Sequence, residues 1–305
     1  MALKIIFMGT PKFSIPSLRL LNSNHDVLCV YTQPPKKKSR GQKIYKSPIH
    51  SEAENLNLSV RCPENLDNES DYEFIKDSNA NLVIVVAYGQ IIPKKFLSIK
   101  NLIFLNIHAS LLPRWRGAAP IQRSIMEMDK ETGISIMKIV PKLDAGPYML
   151  QQSININLKD NFLSLGEKLS EVGAKLIIKA LSLIEKKEIT FTDQNEKYVT
   201  YAKKINKNES EIDWNETAKK IIAKINGLNP YPGVWFKHGG NRIKILEAEI
   251  SNHVGKKGEV ITNDLVIGCK DKSIRINSLQ KEGKTVLNTK SFLAGYKIVK
   301  GDMLI

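Results

Sequence analysis

The sequence predicts an α/β protein with a Rossmann-like, doubly wound and mostly parallel sheet, followed by a smaller domain of short strands. Three observations support this fold class. A strand, a helix and a second strand fit within residues 3–32, which is the usual opening of a doubly wound domain. The run Leu82–Ala87 is continuously apolar, as in a central parallel strand covered on both faces. After about residue 205, short strand-like runs alternate with turn residues, at the spacing of a small barrel or sandwich.

The elements of the first domain can be assigned in order. Pro16 stands in the first turn of a helix that begins after Ser14. The turn at Gly9 lacks G-x-G-x-x-G, so a dinucleotide cofactor has little support. Further strands are expected at 27–32, at 60–63 as an edge strand and at 82–87, and further helices after His50 and at 72–77, 118–128 and 162–187.

The second domain follows a polar connector. A helix is expected to begin near Thr217 and to end at Gly227, since glycine commonly terminates helices. The turn Asn229–Gly233 leads into strand-like runs at 234–236, 243–248, 258–261, 265–268 and 273–278, and a last helix is expected at 289–294. The predicted division is a first domain over residues 1–204, a linker over 205–212 and a C-terminal domain over 213–305.

The totals restrict the class of protein. A chain of 305 residues is expected to form two domains, since single cores rarely grow beyond roughly 250–300 residues. Cys29, Cys62 and Cys269 lack disulfide or metal-ligand spacing, which favours a reducing compartment and no metal. The sequence starts without the features of a secretory signal, and no apolar run approaches the roughly 18 residues that span a membrane. We therefore expect a cytoplasmic protein with no membrane partner.

The net charge of +15 favours a polyanionic partner, although a lysine-rich proteome would give the same sign. Residues 33–50, QPPKKKSRGQKIYKSPIH, contain no acid and no periodic apolar residues, which is typical of a functional or mobile loop. The segment is either a solvated charge run or an arm that grips a phosphate backbone. Its candidate phosphate-binding residues are Lys36, Lys37, Lys38, Arg40 and Lys43.

The stretch from Leu105 to Gly146 contains the candidate catalytic residues. Asn106 and His108 should share one face of an extended segment, because side chains alternate along a strand. A second apolar run, residues 134–140, leads to Asp144. An amide, an imidazole and a carboxylate therefore follow the ends of two apolar runs, and ligands bind at strand ends in open α/β sheets.

These three side chains suit acyl transfer to an amine. An amide N–H or a protonated imidazole can stabilise the oxyanion that forms when the amine attacks. A histidine paired with a carboxylate can move the protons that the attacking nitrogen loses and the leaving nitrogen gains. Each residue alone also has a structural interpretation, as a hydrogen-bonded histidine or as turn residues. The combination of Asn106, His108 and Asp144 favours the catalytic interpretation.

Asn106-x-His108, the following segment SLLPRWRGAAPIQ and Asp144 resemble the core of the 10-formyltetrahydrofolate-dependent formyltransferase family. The resemblance implies that Asn106 and His108 stabilise the tetrahedral oxyanion. Asp144 would then support the protonated form of His108 or hold a proton-carrying water. The folate co-substrate would lie against Ser110, Leu111, Leu112 and Pro113 and in a pocket bordered by Tyr88, Gly89 and Ile91.

Other motifs point to the tRNA-specific branch of this family. Asp213-Trp214, the segment NPYPGVW at 229–235 and Ser291-Phe292-Leu293 resemble its C-terminal domain, which is of the oligonucleotide/oligosaccharide-binding (OB) type. Arg40-Gly41 resembles a glycine-flanked arginine that enters the acceptor-stem groove. This resemblance implies a monomer that formylates the α-amino group of initiator methionyl-tRNA.

The sequence departs from the family pattern near the folate pocket. Ala145 and Pro147 stand where members often carry Thr and Asp, and Gln90 stands where Leu is common. Two alternatives stay open. A formyltransferase that acts on a nucleotide-linked amino sugar would need a nucleotide pocket in its C-terminal domain. A non-enzymatic RNA-binding protein on a decayed scaffold would predict a broken Asn/His/Asp set, and the set is intact here.

Overall fold

The computed structural model describes residues 2–38 and 43–304. The chain forms two compact units, each assembled from three segments. The first unit comprises Met1–Gly117, Thr132–Ile154 and Gly166–Tyr201, and the second comprises Ala118–Glu131, Asn155–Leu165 and Ala202–Ile305. The boundaries expected at residues 204 and 213 stay a prediction.

The first unit contains a seven-stranded sheet in the order β10-β9-β7-β6-β1-β2-β5. Its neighbours from β7 to β5 run parallel to one another, whereas β9 runs antiparallel to β7. The predicted Rossmann-like, mostly parallel architecture is confirmed, with β5 at one edge. The strands of this sheet are β1 (Lys4–Gly9), β2 (Asp26–Tyr31), β5 (Val60–Arg61), β6 (Leu82–Val86), β7 (Ile103–His108), β9 (Glu131–Lys138) and β10 (Tyr148–Asn155).

Both faces of this sheet are covered, which explains why every residue of β6 is buried and apolar. The core on one face includes Ile75 and Phe96, from the helices α3 (Glu69–Asp77) and α4 (Lys94–Leu97). On the other face, a Cβ added to Gly173 of α6 would lie 2.9 Å from Ile107, so this helix packs closely on the sheet. The helices of the chain are α1 (Ile15–Asn24), α2 (Pro48–Asn55), α3 (Glu69–Asp77), α4 (Lys94–Leu97), α5 (Pro120–Met126), α6 (Phe162–Glu185), α7 (Ala218–Leu228) and α8 (Thr289–Gly295).

The basic segment is more regular than the loop expected over residues 33–50. Two short strands, β3 (Lys36–Lys38) and β4 (Lys43–Tyr45), pair antiparallel, and α2 begins at Pro48 with Ser47 Oγ accepting from His50 N (3.0 Å). Pairing between the strands satisfies backbone groups without an apolar period in the sequence. Arg40 and Gly41 lie outside the described residues.

The second unit is built on an antiparallel sheet in the order β12-β13-β15-β14, with β16 paired to β15. Its core joins α7, α8 and the strands in one apolar cluster, which includes Ile225, Phe236 and Phe292, as expected for a small barrel domain. Its strands are β12 (Val234–His238), β13 (Asn241–Ser251), β14 (Val266–Gly268), β15 (Ser273–Lys281) and β16 (Val286–Asn288), and two short strands elsewhere are β8 (Arg116–Gly117) and β11 (Tyr201–Ala202).

The expected helix stop at Gly227 is wrong. Helix α7 continues to Leu228, and Gly227 lies inside it. A Cβ at Gly227 would lie 2.7 Å from Met126 Cγ and 3.1 Å from the carbonyl oxygen of Gln122. The glycine therefore permits close packing of α7 on α5, and it does not terminate the helix. Within the described residues, no helix combines the length and apolarity needed to cross a membrane.

Candidate active site

Asn106 and His108 are among the last three residues of β7, which lies between β9 and β6 in the sheet. Asn106 pairs with Val85 on β6 and with Met137 on β9, and His108 pairs with Ser135. Alternation along the strand places both side chains on one face, as predicted. The Asn106 side chain is half-buried, and no group in the described part of the chain hydrogen-bonds to its amide. This amide is therefore available to a ligand.

The imidazole of His108 is held by two groups. Its side chain is nearly buried, and its Nε2 lies 2.9 Å from the carbonyl oxygen of Trp115. Since a carbonyl only accepts, Nε2 carries a hydrogen, and Nδ1 is the nitrogen that exchanges a proton. Nδ1 faces Asp144 Oδ2 at 3.7 Å, which is too long for a direct hydrogen bond. At this separation the carboxylate can stabilise a protonated imidazole by charge attraction.

Asp144 reaches His108 by a route that the sequence does not predict. Since β9 is antiparallel to β7, its last residue, Lys138, lies beside Leu105 and not beside His108. The segment that follows turns back, with Lys138 N donating to the carbonyl of Pro147 (2.9 Å). The two apolar runs thus end at opposite ends of the β7–β9 pair, and the returning segment brings Asp144 to His108. The Asp144 carboxylate accepts from Gly117 N through Oδ2 (2.8 Å).

The segment Ser110–Pro113 is held mainly by hydrogen bonds to the side chain of Ser135. Ser135 Oγ donates to the carbonyl of Ser110 (2.6 Å) and accepts from Leu112 N (3.1 Å). Gln151 Nε2 donates to both the Leu112 carbonyl (2.9 Å) and Ser135 Oγ (2.8 Å). The side chains of Ser110 and Leu112 are buried, whereas those of Leu111 and Pro113 are half-buried. Leu111 and Pro113 are thus the two that retain surface for a ligand.

In the turn over residues 87–92, one of the predicted folate contacts is buried in the core and another is exposed at the surface. Tyr88 is buried in the core of the first unit, and burial raises the pKa of its hydroxyl. Gly89 has a φ of +83°, and its carbonyl accepts from Gln33 Nε2 (2.9 Å). Ile91 is 89% exposed. The exposed Ile91 and the turn backbone therefore form the surface of this turn, while the Tyr88 ring does not.

The basic candidates are placed on the β3–β4 hairpin. Lys36 is exposed, and its Nζ donates to Gln33 Oε1 (2.9 Å). In the backbone register, Lys37 pairs with Ile44 and Lys38 with Lys43. Arg40 lies outside the described residues, so its place in this set stays a prediction.

Three further residues near the carboxylate were not among the catalytic or binding candidates predicted from the sequence. Arg116 is fully buried between Trp115 and Gly117, which supply the backbone partners of His108 and Asp144. Gln194, far along the chain, donates to the carbonyl of Asp144 (2.8 Å). Leu143, beside Asp144, is an exposed apolar side chain. Arg116 lies in the segment SLLPRWRGAAPIQ, which was a local signal for it, whereas Gln194 had none.

Among residues 2–38 and 43–304, no three His, Cys, Asp or Glu side chains lie together in a group that could hold a metal. Burial raises the pKa of the Cys29 thiol to about 11, so this cysteine stays protonated at neutral pH. Cys29 lies in the core of the first unit.

Two protein-family models match successive regions of the chain. The Formyl transferase family matches residues 3–181, and the Formyl transferase, C-terminal domain family matches residues 204–297. Together these matches cover most of the chain. They agree with the architecture of a Rossmann-like unit followed by a small antiparallel unit.

Similar proteins of known name extend over the full chain. A methionyl-tRNA formyltransferase from Pelagibacter ubique is 50% identical over 307 residues, covering 100% of this chain and 99% of the relative. One from Jannaschia sp. is 43% identical over 303 residues, with coverage of 99% and 100%. Such identity over whole chains is far greater than that shared by proteins alike only in fold.

Solved structures show the same fold at low identity. HypX from Aquifex aeolicus, solved with tetrahydrofolic acid, superposes with a TM-score of 0.66 and 19% identity over 99% of this chain. The chain spans about half the length of HypX, 49%. An N-formyltransferase from Helicobacter canadensis, in complex with folinic acid and dTDP-3-aminofucose, gives a TM-score of 0.67 at 20% identity, with coverage of 92% and 100%.

Proposed function

The chain belongs to the methionyl-tRNA formyltransferases, and from this premise we propose that it transfers the formyl group of 10-formyltetrahydrofolate to the α-amino group of initiator methionyl-tRNA. The observation that carries the proposal is the approach of His108 Nδ1 and Asp144 Oδ2 to 3.7 Å, on the face where the amide of Asn106 has no hydrogen-bond partner among residues 2–38 and 43–304. The product is N-formylmethionyl-tRNA for translation initiation.

The proposed reaction is a direct attack of the amine on the formyl carbon. An α-amino group titrates near about 8, so a good share is neutral at cellular pH. As the C–N bond forms, the formyl oxygen becomes an oxyanion that the Asn106 amide stabilises by donating a hydrogen bond. His108 exchanges its proton at Nδ1, because the Trp115 carbonyl holds Nε2. The attacking nitrogen loses a proton and the folate nitrogen gains one, with Asp144 supporting the imidazolium between these steps.

The residues around the site fit a folate co-substrate. Ile91 and Leu143 are apolar side chains exposed on the turns at 87–92 and 139–147, where a flat aromatic ring can pack on them. Leu111 and Pro113 keep part of their surface free. The co-substrate supplies the activated formyl group, and the chain supplies its orientation, the oxyanion contact and the proton at Nδ1.

The tRNA partner is proposed from charge and from the family. The β3–β4 hairpin carries Lys36, Lys37, Lys38 and Lys43, and Arg40 lies between its strands in sequence. Lysine and arginine side chains neutralise phosphates without reading base sequence. The OB-like C-terminal domain is proposed to hold the tRNA backbone. A cytoplasmic monomer would suffice for these contacts.

The test is formyl transfer from 10-formyltetrahydrofolate to methionyl-tRNA, with the initiator and elongator species assayed side by side. Transfer to the initiator tRNA alone would support 10-formyltetrahydrofolate as the donor, formyl transfer as the reaction and selectivity for the initiator. An equal rate with both species would refute selectivity for the initiator. A folded protein that binds folate but formylates neither tRNA would contradict the proposal.

A nucleotide-linked amino sugar is the second candidate acceptor. It is favoured by the fold shared with the Helicobacter canadensis enzyme, at 20% identity. Against it stands the lysine-rich hairpin, which a small acceptor does not require. The same assay with a dTDP-amino sugar as acceptor separates the two candidates.

A further inference from the structure

Two residues of the site have backbone conformations that L-amino acids rarely adopt. Trp115, whose carbonyl holds His108, has a φ of +62°, and Asp144 has a φ of +44°. For a residue other than glycine, such a conformation is unfavourable and persists only where its surroundings enforce it. The distance between His108 and Asp144 therefore depends on whatever holds these two turns.

Gln194 holds the turn at Asp144. Its Nε2 donates to the carbonyl of Asp144 (2.8 Å) and to that of Gly146 (2.7 Å). The Gln194 amide thus holds the backbone at both Asp144 and Gly146. With Gly117 N on the carboxylate (2.8 Å), both the backbone and the side chain of Asp144 are fixed.

Arg116 in turn orients Gln194. Its Nε donates to Gln194 Oε1 (2.9 Å), and its Nη2 donates to Glu196 Oε1 (2.9 Å). Because the Oε1 of Gln194 accepts from the guanidinium, its Nε2 must point towards the two carbonyls. The order of contacts is thus Arg116, Gln194 and the Asp144 turn.

Fold stability alone is a poor reason for this arrangement. The Arg116 side chain is 0% exposed, and its Nη1 has no hydrogen-bond partner among the described residues. A buried charge with an unsatisfied N–H is costly, and apolar replacements of buried ionic groups are often neutral or stabilising. The network is therefore better explained by the geometry that it imposes on Asp144.

We propose that Gln194, oriented by Arg116, is a positioning residue that sets the Asp144 carboxylate against His108 for formyl transfer. This inference rests on the proposed function and adds to it a residue that touches neither substrate. Arg116 also links the two halves of the site, since its neighbours Trp115 and Gly117 supply the backbone contacts to His108 and Asp144.

Gln194→Glu tests the proposal with minimal change in size. The new carboxylate keeps the contact with Arg116 but loses both donations and faces two carbonyl oxygens. We expect kcat to fall about tenfold to hundredfold, because small displacements of catalytic groups have effects of that size. KM for the folate and for methionyl-tRNA should change by less than about threefold, since no ligand contact is removed. Gln194→Met removes the donors without adding charge and should also lower kcat.

Two results would overturn the inference. One is a lower melting temperature with unchanged kcat at 25 °C, which would indicate a purely structural role. The other is a normal kcat in Gln194→Met, which would assign any loss in Gln194→Glu to its charge. A crystal structure of Gln194→Glu should show the Asp144 carboxylate displaced from Gly117 N, and this readout needs no turnover.

A control variant comes from a second arginine of the same unit, which makes a similar contact at the surface. Arg19 contacts Glu52 through the same two nitrogens, Nε (2.6 Å) and Nη2 (3.0 Å). Arg116→Lys should lower kcat, because lysine lacks the planar fork that orients Gln194, whereas Arg19→Lys should leave it unchanged. If Arg116→Lys does not fold, the Gln194 variants decide. Wild-type protein without transfer to tRNA refutes the proposed function, and active wild type with equally active Gln194 variants refutes only this inference.

Discussion

The catalytic edge, which we define as Asn106, His108, Trp115–Gly117 and Asp144, differs physically from the basic hairpin, residues 36–45. The catalytic edge is largely buried and fixed by short hydrogen bonds to backbone groups. The basic hairpin exposes even its apolar residues, Ile44 and Tyr45. One region therefore holds its groups at set distances, whereas the described side chains of the other, Lys36, Ile44 and Tyr45, are exposed to the solvent.

This difference matches the two proposed tasks, which are catalysis of formyl transfer and binding of the tRNA backbone. A reacting carbonyl and a proton donor must be placed within a fraction of an ångström, so the chain accepts the rare conformations of Trp115 and Asp144. A phosphate backbone is attracted by charge over several ångströms and tolerates mobile partners. Substitutions in the catalytic edge should thus change kcat, whereas substitutions in the basic hairpin should change affinity for tRNA and its salt dependence.

The largest effect is expected for His108→Ala. Removing the imidazole eliminates proton exchange at Nδ1, and general acid–base catalysis contributes about 10²–10⁴-fold. We expect kcat to fall by that range, measured by transfer of labelled formyl to methionyl-tRNA. The Kd for tRNA, measured by filter binding, should stay unchanged. A large loss of tRNA affinity would show that the two regions are not separable.

The next effect is expected for Asp144→Asn. Asparagine tolerates the left-handed conformation at this position and can still accept from Gly117 N, so the turn should persist. The loss of the negative charge beside His108 Nδ1 should lower kcat by about 10²-fold or more. Kinetics and thermal melting are measured together, and near wild-type kcat would remove Asp144 from the mechanism.

A smaller effect is expected from the basic hairpin. Arg40→Ala should raise the KM for tRNA with little change in kcat at saturating tRNA. Lys36→Ala should weaken binding and reduce the slope of log Kd against log salt by about one, if the lysine neutralises one phosphate. Normal tRNA kinetics in Arg40→Ala would refute the assignment of the loop, and an unchanged salt slope would do so for Lys36.

The smallest effect concerns acid stability. Hydrogen bonding from Arg116, and then from Lys142, lowers the pKa of Glu196 below its ordinary value of 4.5. A lowered pKa in the folded state stabilises the protein at pH values above the unfolded pKa, and this contribution is lost as pH falls through the folded pKa. The melting temperature of wild type should therefore exceed that of Glu196→Gln slightly at pH 7, and the two should converge below pH 4.5. A constant difference between pH 7 and pH 3 would contradict this.

Several features of the fold and the site were predictable because their signals are local. The buried run of β6 and the alternation of Asn106 and His108 follow from periodicities within a few residues. The helix end predicted at Gly227 was wrong because this glycine is needed for close packing against Met126. A contact with a distant residue produces no pattern in the local sequence. Tyr88 was expected at the ligand, yet its ring lies in the core, since the direction of a side chain in a turn depends on the tertiary fold.

The fold class, the candidate groups of the site and the excess of positive charge can all be read from the sequence. How those groups meet depends on the tertiary structure. Antiparallel β9 and its returning turn bring Asp144 to His108, and Gln194 reaches Asp144 from 50 residues away. The physical reason is that strand and helix periods arise from the backbone within a few bonds, whereas strand direction and contacts between distant segments depend on how the whole chain packs.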